Sequence, residues 1–148
     1  MSTSFAAPAF LESLKQQLDQ THSEFEALGF FDTRFGIRLL DGEGGKPKHL
    51  VVMEFETHSC KELALKAGSD PADSLDFVIE APEAVWQDML THLDAQGHIE
   101  GDYTINTLSH FDTPIRVEYR DHDGLDKLFR FQQSVQLVFD IAARTQQA

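Results

Sequence analysis

The chain of 148 residues is poor in cysteine and in basic residues, and it has no long apolar run. Its one cysteine, Cys60, excludes an internal disulfide and leads us to expect a reducing, cytoplasmic location. Its 12 lysines and arginines stand against 25 acidic residues, and this balance argues against a nucleic-acid partner or an anionic membrane surface. No stretch approaches the roughly 20 apolar residues of a membrane span, and residues 1–10 do not have the pattern of a signal peptide.

Motifs that mark catalysis or phosphate binding are missing as well. HExxH, GxSxG and CxxC do not occur, and Gly42, Gly44 and Gly45 connect two predicted strands without opening a helix. His110 with Asp112 is an isolated acid–base pair that matches no motif of fixed spacing. The triplet Asp121, His122 and Asp123 is typical of a turn that caps a helix. We therefore expect no catalytic residue and no cofactor.

One set of residues has donor chemistry suited to a metal. Glu54, Glu56, His58 and Cys60 follow one another at every second position, and this spacing would place all four on one face of a strand. The solvated outer face of a sheet explains the same pattern, and we favour that interpretation, so no metal is expected. As a nucleophile, Cys60 would need a nearby cation on its own face, and its neighbour Lys61 points to the opposite face.

Phenylalanine is the residue present in excess, with 12 Phe against 2 Tyr. Phe adds a large apolar surface without a polar group. The excess indicates either a Phe-rich core or an apolar cavity partly lined by aromatic rings.

Residues 70–93 are the segment around which the predicted fold is organised. Asp70 and Pro71 form a turn, and Leu75, Phe77 and Ile79 then alternate with polar or exposed positions, as in a strand with one apolar face. Pro82 suits the first turn of the helix that follows. That helix has one apolar stripe, formed by Val85, Trp86, Met89, Leu90 and Leu93.

Periodicity predicts the remaining elements of a single domain over residues 1–148, of which residues 1–8 are expected to be flexible. Helices are predicted at 9–28 and 125–144, strands at 31–40, 48–58, 61–67 and 115–120, and a loop or short helix at 94–106. The last helix is apolar over most of its circumference, so it packs between two partners, closes over a cavity or forms a homodimer interface. The fold class is α+β: a five-stranded, mainly antiparallel sheet covered on one face by helices, with N- and C-terminal helices.

The order of these features resembles the sterol carrier protein 2 family of lipid-binding domains over residues 35–143. The segments that carry the resemblance are FGIRLLDG, HLVVMEFE, KELALKAGSD, SLDFVIEAPEAVWQDML, PIRVEYRD and LDKLFRFQQSVQLVF. The chain departs from the family in its long link at 94–113 and in its acidic charge. The resemblance implies helices that enclose an apolar tunnel for fatty acyl chains, sterols or similar lipids, without a catalytic residue.

Three functions remain open on the sequence. The first is non-enzymatic binding or transfer of an apolar ligand, with Arg116 or Arg130 holding a carboxylate at the mouth. The second is a small enzyme of the ketosteroid isomerase type with Asp112 or His110 as base, although that class ends on a strand and this chain ends on a helix. The third is a domain that dimerises through its C-terminal helix. The residues expected to line the cavity of the first are Trp86, Met89, Leu90, Phe111, Phe129, Val135 and Phe139.

Overall fold

The computed structural model describes residues 4–42, 45–108 and 115–147, apart from the side chains of Ser4 and Thr107. The helices are α1 Pro8–Gln20, α2 His22–Leu28, α3 Glu83–Thr91, α4 Ile105–Leu108, α5 His122–Arg130 and α6 Gln132–Gln147. The strands are β1 Thr33–Leu40, β2 Pro47–Glu56, β3 Ser59–Ala67, β4 Phe77–Pro82 and β5 Arg116–Tyr119. Single 3-10 turns lie at Ser4–Ala6 and Gly101–Tyr103.

The five strands form one sheet in the order β3-β2-β1-β4-β5. β1 runs parallel to β4, with Ile37 opposite Ile79, and the other three neighbouring pairs are antiparallel. The predicted α+β fold with a mainly antiparallel sheet is therefore confirmed. The parallel pair arises because the chain crosses from the edge strand β3, over β2 and β1, to reach the far side of β1.

The inner face of the sheet is continuous with the main core. Its side chains alternate as the sequence predicts, with Ile37 on β1, Met53 on β2 and Ile79 on β4 all fully buried beneath the helices. Trp86 lies where α3 meets the sheet, and its indole N–H donates to the carbonyl oxygen of Arg38 at 3.1 Å. The only tryptophan therefore joins the two layers, as expected.

The outer face is not wholly solvated, in contrast to the prediction. Leu50, Val52, Leu75 and Val78 form a second buried cluster beneath the crossover between β3 and β4. The prediction that Leu75 shares a face with Phe77 is wrong, because β4 begins only at Phe77 and Leu75 belongs to the crossover. Beside this cluster, the buried guanidinium of Arg38 pairs with Glu80 at 3.6 Å and with Glu118 at 2.7 Å.

The predicted C-terminal helix is two helices, which meet at Phe131. The backbone N–H of Phe131 donates to the carbonyl oxygen of Lys127 and its own carbonyl accepts from Val135, while its φ of -104° and ψ of 17° depart from helical values. The break lets α5 pack on β4 and β5 while α6 packs on α1, α2 and α3. The broad apolar face of α6 is thus covered within the same chain.

The N-terminal segment contributes to this packing. Phe5 is fully buried, although it lies within the stretch 1–8 for which flexibility was expected. Its ring lies 5.8 Å from that of Phe139 and 6.5 Å from that of Trp86, edge to face in both cases. Trp86 and Phe139 in turn stack with their centroids 5.3 Å apart.

Residues 94–104 belong to the stretch 94–106 for which the sequence predicts a loop or short helix, and they are held by α6. Asp140 of α6 accepts from the backbone N–H of Ile99 at 2.9 Å and lies 3.1 Å from Nδ1 of His98. Arg144 donates to the carbonyl oxygen of Gly97 at 2.6 Å. These contacts replace regular secondary structure as the means of fixing the segment.

Candidate functional site

An apolar groove lies at one end of the helical layer, between α4, β5, α5 and the start of α6. Its volume is about 280 Å³. It is bounded by side chains that are mainly apolar: Ile105, Asn106, Val117, Leu125, Leu128, Phe129 and Gln132. The lining is apolar except for the amide side chains of Asn106 and Gln132.

Helix α5 supplies the wall of this groove because of its periodicity. Leu125, Leu128 and Phe129 stand at i, i+3 and i+4 and share one face. Leu128 is buried against the core, whereas Phe129 is 65% exposed. A large aromatic ring thus faces solvent beside the groove and extends its apolar surface.

The start of α5 is fixed closely against β4. Asp121 caps the helix by accepting from the backbone N–H of Gly124 at 3.1 Å. A Cβ at Gly124 would lie 1.9 Å from the carbonyl oxygen of Asp76, so only glycine allows this approach. The position of α5, and with it the wall of the groove, therefore depends on this close contact.

The carboxylate of Asp76 also fixes the position of α5. Asp76 accepts from Oγ1 of Thr33 at 2.8 Å, from the backbone N–H of Arg34 at 3.0 Å and from Nζ of Lys127 on α5 at 3.2 Å. Burial acts to raise the pKa of Asp76, but these hydrogen bonds outweigh it and hold the pKa below its ordinary value. The ionised form thus ties α5 to the starts of β1 and β4.

Five of the residues predicted to line a cavity lie elsewhere, in the packed core. Each is fully buried, and none lines the groove. They come together around the ring stack of Trp86 and Phe139 where α3 packs on α6. These five residues are Trp86, Met89, Leu90, Val135 and Phe139.

The other predicted residues are divided between the groove and the surface. Phe129 lines the groove. The side chain of Arg116 is 77% exposed and reaches Glu80 at 3.9 Å on the outer face of the sheet. Arg130 lies with its guanidinium 5.8 Å from the ring centre of Phe131, and neither arginine lines the groove. Phe111 falls outside the described residues, as do His110 and Asp112.

Sequence analysis did not assign Ile105, Val117, Leu125 or Leu128 to a ligand site. The periodicity of α5 and the alternation in β5 did place the last three on apolar faces. Periodicity did not predict the break at Phe131, which separates α5 at the groove from α6 in the core.

Cys60, which was considered as a metal ligand and as a nucleophile, occupies a structural position in the core. Cys60 does not share a face with Glu54: a bulge shifts the register, and Cys60 pairs with Phe55 and is buried in the core. The prediction of a shared face is therefore wrong for Cys60. Burial raises the pKa of its thiol to about 11, so it is a poor nucleophile at neutral pH.

The described part of the chain offers neither a metal-binding cluster nor a membrane-spanning helix. Over those residues, no group of three or more His, Cys, Asp or Glu is arranged to hold a metal ion. Nor does any helix formed by them combine the length and apolar character that a bilayer crossing requires.

Comparison with solved structures shows the fold. A conserved hypothetical protein from Thermus thermophilus, suggested to be a sterol carrier protein, superposes with a TM-score of 0.66 at 19% identity, over 95% of this chain and 88% of its own. A crystal structure of sterol carrier protein 2 superposes with a TM-score of 0.62 at 19% identity, over 91% and 94%. The chain has the sterol carrier protein 2 fold. No protein-family model and no curated protein matches it by sequence, so the likeness to sterol carrier protein 2 is structural.

Proposed function

We propose that this protein binds an apolar ligand, such as a fatty acyl chain, a sterol or a similar lipid, and carries it without chemical change. The observation that supports the proposal is the apolar groove beside the exposed ring of Phe129, in a chain with the sterol carrier protein 2 fold. The single cysteine fits a reducing compartment, and the proposal places the carrier in the cytoplasm.

Hydrocarbon burial supplies the binding energy in this proposal. Each CH₂ group removed from water contributes about 0.8 kcal/mol, so an acyl chain needs no charged partner. The groove, at about 280 Å³, is slightly smaller than the roughly 300–1,000 Å³ of typical small-molecule pockets. We therefore propose that the groove takes one end of the ligand.

The rest of the ligand would extend beneath α5 toward the core. In this proposal, α5 moves aside at the turn around Phe131, and Val135 and Phe139 then form the nearer wall. The deeper wall consists of Trp86, Met89 and Leu90, and Phe111 follows α4 in sequence. A carboxylate held by Arg116 or Arg130 would lie outside the groove, because neither side chain lines it.

Native mass spectrometry of the purified protein and displacement of a fluorescent fatty acid test the proposal. We expect co-purified lipid or micromolar binding of the probe. Phe129→Ala should weaken binding by about ten-fold, since a ring of this size is worth roughly 1.5–3 kcal/mol when fully buried and part of that is realised here. Leu28→Ala is the control, because Leu28 is an apolar residue of α2 that is 44% exposed and does not line the groove. Failure of the probe to bind, or equal weakening by both variants, would overturn the proposal.

Neither alternative gains support from a specific contact. The isomerase-type enzyme is not favoured, because the two solved structures compared above are sterol carrier protein 2 and a protein suggested to be a sterol carrier protein. Dimerisation through α6 was suggested by its broad apolar face, which α1, α2 and α3 cover within the chain.

A further inference from the structure

We propose that the free edge of β3 is a binding site for an extended acidic peptide segment of another protein, which adds as a sixth strand. The site is the groove between α1 and β3, on the opposite side of the sheet from β5. It is separate from the groove of the proposed function and does not depend on it.

The backbone of β3 offers unpaired hydrogen-bonding groups. The N–H of Gly68 donates to the carbonyl oxygen of Lys48 on β2, which fixes the alternation of the antiparallel pair. By that alternation Ala64 and Lys66 bond to β2, and Leu63 and Leu65 direct their N–H and C=O groups outward. Within the described part of the chain, these outward groups have no partner, so they form a template for another strand.

An apolar groove of about 400 Å³ runs along this edge. It is lined by Pro8, Leu11, Glu12, Lys15 and Gln16 of α1 and by Leu63 and Leu65 of β3. A strand added to β3 would direct every second side chain into this groove. Since Glu12 stands at the groove, those inward side chains should be apolar and not acidic.

The charges beside the edge favour acidic side chains at the alternate positions. Lys61 and Lys66 are exposed and lack an ion-pair partner among the described residues. Arg34 lies between Glu62 at 3.1 Å and Glu54 at 3.6 Å, and Lys15 pairs with Asp19 at 2.9 Å. Lys61 and Lys66 are therefore the cations on β3 with which acidic side chains of an added strand can pair.

A second copy of this chain fits the edge less well than a peptide. α1 packs on β3, so a symmetric pair of β3 strands would bring two α1 helices over the same strip of sheet. Paired strands lie about 4.8 Å apart, whereas packed helices need about 8–10 Å between axes. A single strand without a helix above it avoids this clash.

The test uses the full chain and the synthetic peptide Glu-Val-Glu-Val-Glu-Val-Glu with a fluorescent label. We expect saturable binding at millimolar peptide or below, and hydrogen-exchange protection of the amides of Leu63 and Leu65 but not of β5, the other edge strand. The same peptide with alternate backbone nitrogens methylated should not bind, because it cannot donate to the edge. Lys66→Glu should weaken binding by about two- to five-fold at low salt, whereas Arg116→Glu, which makes the same charge change on the other edge strand β5, should not.

Lysines on an edge strand also discourage aggregation, and that role alone predicts no peptide binding. Absence of binding, equal binding of the methylated peptide, or protection at β5 in place of β3 would each overturn the proposal. Dimerisation of the chain that is lost in Lys66→Glu would assign the edge to a second copy and would overturn it as well.

Discussion

The two ends of the helical layer differ in how completely they are packed. Where α1, α3 and α6 meet, Phe5, Trp86 and Phe139 interlock at 5.3–6.5 Å between ring centres and are fully buried. Where α4, β5 and α5 meet, an apolar groove remains and Phe129 is left exposed. Phenylalanine therefore fills the core at one end of the layer and leaves an open apolar surface at the other.

The difference also explains why the predicted ligand residues divide into two groups. Residues on α3 and α6 are apolar because they face other helices. Residues on α5 are apolar on one face only, and no helix formed by the described residues covers the part of that face at the groove. Apolar character alone does not distinguish these two groups of residues, but a substitution at each end of the helical layer does.

Two matched truncations give the largest expected contrast. Phe139→Ala should lower the free energy of unfolding by about 3–5 kcal/mol, since it leaves a cavity beneath Trp86. Phe129→Ala should change it by no more than about 0.5 kcal/mol, because the ring is mostly in solvent. Urea denaturation measures both, and equal costs would mean that the two ends are packed alike.

Gly124→Ala tests whether the groove depends on the close contact between α5 and the backbone of Asp76. The added Cβ would meet backbone of the residue that leads into β4, which cannot rotate away, so we expect a loss of about 1–3 kcal/mol in spite of the better helix propensity of alanine. Gly101→Ala is the control, since its Cβ meets no described atom within 4 Å. If Gly124→Ala is silent in denaturation and in ligand binding, the close approach is not required.

Asp76→Asn should lower the free energy of unfolding by about 1–2 kcal/mol at neutral pH. The substitution weakens the charge-assisted hydrogen bonds to Thr33 and Arg34 at the start of β1 and to Lys127. The folded-state pKa of Asp76 is lowered, so its contribution is fully present above its unfolded pKa of about 3.9 and is lost as the pH falls through the folded pKa. The two proteins should therefore converge in stability in acid. Asp32→Asn is the control at an exposed acid, and a difference that persists at the lowest pH would contradict the assignment.

The smallest effect concerns Cys60, which is buried in the core opposite Phe55. With a pKa of about 11 and a buried side chain, its thiol should react with Ellman's reagent far more slowly than a model thiol at neutral pH. Rapid reaction in the folded protein would show that this part of the core opens readily.

The sheet could be predicted from sequence because its inner face obeys a simple alternation. Val51, Met53 and Phe55 stand at every second position and all point to the helices. The position of Cys60 could not be predicted in this way. Thr57 adopts a positive φ of 63° between β2 and β3, and the bulge that follows restores Cys60 to the core, which counting along one strand does not anticipate.

Other features leave no periodic signal. Phe131 is apolar and fits the stripe of one long helix, so nothing at that position indicates a break between α5 and α6. Phe5 stands alone among small residues, and its burial depends on partners that lie more than 80 positions away in the chain. The division between core and groove is a tertiary property, which explains why apolar faces were predicted correctly and their partners were not.

The parallel contact between β1 and β4 has a consequence for synthesis of the chain. β1 forms a local antiparallel pair with β2. Its other edge pairs with β4, which is synthesised about 40 residues later. A nascent chain that ends before β4 presents the middle strand of the finished sheet as an open edge with Phe35 and Ile37 uncovered. Such fragments should aggregate, and folding of the whole should be slow compared with that of a helical bundle of the same length.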